Sequence, residues 1–206
     1  MKRLSLHLAS VFLSITSVSS AAVFRFDTNP FAGSTALATP GRQILGGESL
    51  ITFSVPTDLF SLESTVFGVN SPVLFQGVFA ASLPGSGVNV IVLQDTPVPF
   101  GAGGAADLIA AQITTSAPGF FVYFNSGLDL PRLVYSTDLS DSTADLKILY
   151  RLTNLSGQPG RDTLPTFSAT NFAITAIPEP STAGMLTIAG LVYAANLAWR
   201  RRRVRG

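Results

Sequence analysis

Residues 145–153 read Asp-Leu-Lys-Ile-Leu-Tyr-Arg-Leu-Thr, with Leu146, Ile148, Tyr150 and Leu152 at every second place and Lys147 and Arg151 between them. A period of two puts alternate side chains on opposite faces, as a half-buried strand requires. The apolar set is expected on one face, with Lys147 and Arg151 opposite. Leu50–Val55, Val88–Leu93 and Phe120–Phe124 are short apolar runs rich in β-branched or aromatic residues, which suits buried strands. Val23–Phe26, Val73–Ala80, Leu130–Ser136 and Phe167–Thr175 are further strand candidates.

Turn-forming residues separate these runs: Pro84-Gly85-Ser86-Gly87, Pro118-Gly119, Asn125-Ser126-Gly127 and Ser156-Gly157-Gln158-Pro159-Gly160. Ala105–Thr114, Ala-rich with Asp107 near its start, predicts one short helix. No repeat period is present. Strands at this spacing imply an all-β domain, an antiparallel β-sandwich of jelly-roll type, with Phe120, Phe121 and Phe124 in its core.

The two ends have a different character. Lys2 and Arg3 precede an apolar core, Leu4–Val18, and Ser19-Ser20-Ala21 supplies the small residues that signal peptidase accepts. Residues 1–21 read as a signal peptide cleaved after Ala21, with Ala22 as the alternative. At the other end, Ile177-Pro178-Glu179-Pro180 leads into a mostly apolar stretch, 181–199, closed by Trp199, Arg200, Arg201, Arg202, Arg203 and Arg205. As helix that stretch is roughly 28 Å long, enough to cross a bilayer core. The arginines behind it act as a stop-transfer cluster and stay cytoplasmic. Three parts follow: leader 1–21, exported β domain 22–176, and sorting segment 177–206 with a single transmembrane helix.

The order Pro178-Glu179-Pro180, apolar helix, arginine cluster resembles the PEP-CTERM sorting signal of exopolysaccharide-associated bacterial surface proteins. Residues 120–152 also look like segments common in exported PEP-CTERM proteins without an assigned activity. The resemblance implies that an exosortase, an integral membrane Cys protease-transpeptidase, recognises the tripeptide and processes the chain beside it. The catalytic residues belong to that partner. Pro178 and Pro180 hold the tripeptide extended and remove two amide donors, leaving Glu179 as its one charge. The implied route runs across the inner membrane, through an anchored intermediate, to the cell surface or extracellular matrix. Expected partners are signal peptidase, exosortase, the membrane and exopolysaccharide.

Composition narrows the chemistry of the domain itself. Without Lys2, Arg3, the five tail arginines and Glu179, six bases (Arg25, Arg42, Arg132, Lys147, Arg151, Arg161) face eleven acids, a net charge of −5. Such a domain lacks the basic face that nucleic acid needs. The chain has no Cys, and its one His, His7, lies in the leader. Thiolate catalysis, Ser-His-Asp triads and His- or Cys-ligated metals are therefore excluded from residues 22–176.

Four patterns bear on chemistry. Asp138, Asp141 and Asp145 sit on a polar link, where they build turns or offer oxygens to calcium. Gly101-Ala102-Gly103-Gly104 imitates a dinucleotide fingerprint, but Asp95–Phe100 separates it from its strand, so a loop entering a helix is expected. Glu48, Glu63, Asp95 and Asp107 are the carboxylates from which a glycosidase pair would be drawn; Tyr123, Tyr135 and Tyr150 are the rings that would stack on sugar. Asn154-Leu155-Ser156 is a glycosylation sequon without meaning on a bacterial export route. The expected function is a non-enzymatic, cofactor-free surface or matrix protein linked to exopolysaccharide and biofilm. The alternative is an exported carbohydrate-binding module or carboxylate-dependent hydrolase, marked by two carboxylates across a Tyr-lined groove.

Overall fold

A computed structural model describes residues 20–176. The leader core, the Pro178-Glu179-Pro180 motif, the 181–199 span and the arginine cluster lie outside the described residues. Among those described, no helix is long and apolar enough to cross a membrane. The described chain is mostly strand, with few helices.

Ten strands form two sheets. β1 (Val23–Phe26), β4 (Leu59–Glu63) and β10 (Phe172–Thr175) make a three-stranded sheet with β4 in the middle. The larger sheet runs β2 (Ile44–Leu45), β9 (Leu146–Leu152), β8 (Leu130–Ser136), β7 (Gly119–Asn125), β6 (Val90–Leu93), β5 (Phe75–Val78), with β3 (Ser49–Ile51) also on β9. The expected antiparallel jelly roll does not describe this pairing. Only β7–β8 and β8–β9 are antiparallel; the other pairs run parallel.

The physical reason is visible in the strands. Val90–Leu93 and Gly119–Asn125 are buried along their whole length, with no polar face turned to water. Strands covered on both sides read as continuous apolar runs, a pattern that parallel pairing with crossover connections produces and that a sandwich core shares. The crossover from β6 to β7 carries the main helix, α2 (Ala102–Ala110), which starts three residues before the expected 105–114 and ends four earlier. Two shorter helices, α1 (Ser64–Phe67) and α3 (Gly157–Thr163), were not expected. α3 replaces an expected turn: Pro159 is tolerated in a first helical turn. Gly160 is required there because a Cβ would lie 2.1 Å from the Leu155 carbonyl oxygen.

Two cores result, one on each face of the large sheet. Phe60, Leu62, Phe53 and Phe172 meet Val90, Val92, Phe120, Val122, Phe124 and Leu133 on the side of the small sheet. Ala102, Ala105, Ala106 and Ile109 of α2 meet Ile91, Leu93, Phe121, Tyr123, Val134 and Ile148 on the other. The Phe120–Phe124 stripe therefore divides between the two cores.

β9 divides as well, because Tyr150 pairs with Leu133 and Ile148 with Val134, leaving Leu149 as an extra residue. This bulge shifts the alternation by one. Leu146 and Ile148 join the α2 core while Leu149, Tyr150 and Leu152 join the other. The single apolar face expected for 146–152 is thus corrected to two half-faces.

Phe60 is the hub of the first core. Its ring stacks on Phe53 at 4.3 Å and lies within 5.6 Å of Tyr150 and Phe172. Emptying such a site loses the transfer free energy and leaves a cavity. Phe60→Ala is expected to lower the unfolding free energy by about 3–5 kcal/mol, read as a fall in the urea midpoint at unchanged slope.

Candidate functional site

One row of side chains crosses the large sheet on the α2 side. Tyr123 of β7 is the register partner of Arg132 on β8, and Arg132 is the partner of Arg151 on β9. Partners across a ladder share a face. Arg151 reaches this face because of the Leu149 bulge; unbroken alternation would have turned it to the other side. Two guanidiniums side by side repel, and a carboxylate between them relieves the strain.

Glu48 supplies it, from the segment linking β2 and β3, both of which run along β9. Its Oε1 accepts from Arg151 Nη2 at 2.7 Å and Nε at 3.2 Å, and also from Arg132 Nη2. The side chains of Glu48 and Arg132 are only 7% and 13% exposed, and that of Arg151 30%. Burial by itself would push the Glu48 carboxyl up. The Arg132 and Arg151 bonds outweigh it and hold the group at about 2. Hydrogen bonding and charge from Glu48 and contact with the Tyr123 hydroxyl likewise overcome burial and raise Arg132. Asn125 Nδ2 donates to that hydroxyl at 2.9 Å, anchoring the row in the core.

A cavity of about 460 Å³ lies at the arginine end of the row, lined by Arg132, Arg151 and Ile148 together with Phe100, Ile44 and Leu128. The last three are all exposed, Phe100 at 81%. A second cavity, about 570 Å³, is more polar and is lined by Gln94, Asp95, Gln158, Arg161 and Asp162. Asp95 there accepts from the Ala80 N–H at 2.8 Å, and Asp162 from Gln158 Nε2 at 2.7 Å.

The remaining expected site residues fall elsewhere. Asp138 accepts from Ser116 Oγ, the Ala117 N–H and both donors of Ser140. Asp141 accepts from the Thr143 N–H and hydroxyl, and Asp145 from the Leu37 and Gln43 N–H groups. Among the described residues no group of three His, Cys, Asp or Glu is placed to hold a metal ion. Glu63 is buried and accepts from Thr65; Asp107 pairs with Arg42 at 2.8 Å.

Tyr123, Tyr135 and Tyr150 are core residues rather than stacking surfaces. Tyr135 and Tyr150 donate to the carbonyls of Phe67 and Arg25, and burial pushes both phenols to about 12. The Gly101–Gly104 segment caps and opens α2, with the parallel strands β6 and β7 on either side of it. Asn154 bonds both the N–H and the C=O of Phe53 and so serves the fold.

The Glu48–Arg132–Arg151 cluster escapes a reading of sequence alone. Its members lie far apart in the chain, and the bulge that aligns the arginines leaves no mark on composition. No family model, curated protein or solved structure matches this chain.

Removing Glu48 leaves two adjacent cations with no counter-charge. Glu48→Gln should therefore destabilise the domain by about 2–4 kcal/mol in chemical denaturation, with a second change, Arg151→Gln, recovering part of the loss. The carboxyl's folded value of about 2 lies below its ordinary 4.5, so its contribution is complete above about 4.5 and disappears as pH falls toward 2. A Glu48→Gln stability profile lacking that acid-side slope is the expected result.

Proposed function

We propose that this chain is a non-enzymatic exported protein of the bacterial surface or matrix, sorted by an exosortase and associated with exopolysaccharide. The sorting half of the reading rests on the order Pro178-Glu179-Pro180, apolar 181–199 and terminal arginines. The export half rests on Lys2 and Arg3, the apolar Leu4–Val18 core and Ser19-Ser20-Ala21; one contact within the fold bears on where that leader is cut.

The backbone nitrogen of Ala22 donates to Asp58 Oδ1 at 2.9 Å. Asp58 is buried, and its other oxygen accepts from the Ser54 N–H at 2.8 Å. Burial alone would push its carboxyl up; the Ala22 and Ser54 N–H groups and the Thr57 hydroxyl outweigh that and hold it below the usual range. Cleavage after Ala21 makes this nitrogen an ammonium already seated against a carboxylate, turning the bond into an ion pair. Cleavage after Ala22 would delete the donor and leave Asp58 short of a partner. The fold thus supports the first of the two sites.

The absence of a catalytic role is supported by how the carboxylates are engaged. Glu48 faces two arginines rather than a second acid, and a group held at about 2 donates no proton at neutral pH. A hydrolytic alternative would draw first on Asp95 and Asp162, which share the more polar cavity without a tyrosine beside them. Asp95→Asn and Asp162→Asn should accordingly leave the protein's behaviour in the matrix unchanged.

Mass measurement on the mature protein from its native host tests both halves together. The expected chain begins at Ala22 and lacks the tail beyond the Pro178-Glu179-Pro180 region. Glu179→Ala should accumulate unprocessed in the inner membrane, since the recognition tripeptide loses its one charge. Normal tail removal from that variant, or a native chain retaining leader and tail in the cytosol, overturns the reading.

A further inference from the structure

Ion pairing in the domain is one to one in three places and two to one in a fourth. Arg25, Arg42 and Arg161 each have one aspartate, Asp27, Asp107 and Asp129. Arg132 and Arg151 share the single carboxylate of Glu48. One positive charge is therefore uncompensated, at the base of a cavity, in a domain whose net charge is −5. The arginine bonds to Glu48 all use Oε1, and Arg151 Nη1 has no acceptor among the described residues.

Above this charge the cavity wall is apolar. The far end of the Phe100 ring lies so close to Gly127 that a Cβ there would meet it at 2.9 Å, while the residue as a whole is 81% exposed. Ile44 and Leu128 continue the wall. A few fixed polar groups beneath an apolar, partly aromatic wall is the usual composition of a small-molecule site, and about 460 Å³ is within the usual size. The charge selects a monoanion, because a doubly charged phosphate would leave net negative charge beside Glu48. Arginine's planar donors match a carboxylate, and an open phenyl face suits the CH side of a ring.

We propose that this cavity binds a carboxylate carried on a ring, of the uronic-acid class when the source is a matrix polysaccharide. The choice of source rests on the exopolysaccharide reading above; the chemistry of the cavity does not. The carboxylate meets Arg151, with Arg132 behind it, and the ring lies against Phe100.

The test is calorimetric titration of the purified full chain with trigalacturonate, with its methyl ester, and with benzoate. The ester keeps the shape and removes the charge, so the acid should bind at least tenfold more tightly, and more weakly as salt rises. Arg151→Gln should weaken it tenfold or more. Phe100→Ala, an exposed change that leaves the core intact, should weaken it about fivefold. Phe79→Ala, at another exposed ring, should change nothing. Benzoate binding with the same dependence on Arg151 and Phe100, without uronate binding, upholds the site and assigns its ligand to free carboxylates instead of polysaccharide. Equal binding of acid and ester, no binding of any of the three by folded protein, or indifference to Phe100→Ala overturns the proposal. Processing at Ala22 and near Glu179 is read by mass in a separate experiment, so either reading can fail alone.

Discussion

The extra residue in β9 is the constraint on which the architecture turns. A strict two-residue alternation gives a strand one apolar face and lets it serve one core. By admitting Leu149 between Ile148 and Tyr150, β9 sends Leu146 and Ile148 toward α2 and Tyr150 and Leu152 toward the small sheet. The large sheet is thereby covered on both sides near its edge, as it is in the middle by the fully buried β6 and β7. The same shift brings Arg151 beside Arg132. The division of β9 between two cores and the meeting of Arg132 with Arg151 are consequences of one local irregularity.

Charge is used sparingly in the rest of the molecule. Most aspartates close loops: Asp58, Asp95, Asp138, Asp141 and Asp145 all accept backbone N–H groups. Short polar side chains that satisfy the backbone let such connections turn, both in the link between antiparallel β8 and β9, where Asp138, Asp141 and Asp145 sit, and in the crossover from β6 to β7, which holds Asp95. With no cysteine available for cross-links, the loops are held by these bonds and by the aromatic packing around Phe60. The acidic balance of the domain is therefore largely a feature of its connections. The basic residues, few and nearly all paired, stand out against it.

Strand content was legible in the sequence; strand pairing was not. Val23–Phe26 and Leu130–Ser136 are strands over the expected residues, and the cores of Val88–Leu93, Phe120–Phe124 and Asp145–Thr153 are strands too. Leu50–Val55, Val73–Ala80 and Phe167–Thr175 shorten, because Phe53, Val55 and Phe167 are buried from irregular backbone that periodicity does not register. β4 was missed altogether: Leu59-Phe60-Ser61-Leu62-Glu63 alternates with polar residues, yet Ser61 and Glu63 are buried. Parallel order was hinted at by the unbroken apolar runs of β6 and β7, but those runs fit a sandwich core equally well. Of the candidate site, the individual charges were visible and their meeting was not. Register and a bulge, properties of paired strands, bring Glu48, Arg132 and Arg151 together.

A site built this way has a mechanical consequence. Tyr123, Arg132 and Arg151 are spaced by the sheet, with Asn125 holding the phenol and Glu48 holding both guanidiniums. Two long cationic side chains that would otherwise sample many rotamers are fixed before anything binds, so a ligand does not have to order them. Glu48 therefore has two roles that pull against each other. It cancels one of the two charges a carboxylate ligand would seek, and it holds the other in the orientation that makes it useful. In the binding proposed above, the balance would trade a stronger but floppy dicationic site for a monocationic one of defined geometry. For the proposed polysaccharide ligand, contacts of that kind would be made many times over along a repeating polymer, where each need hold only briefly.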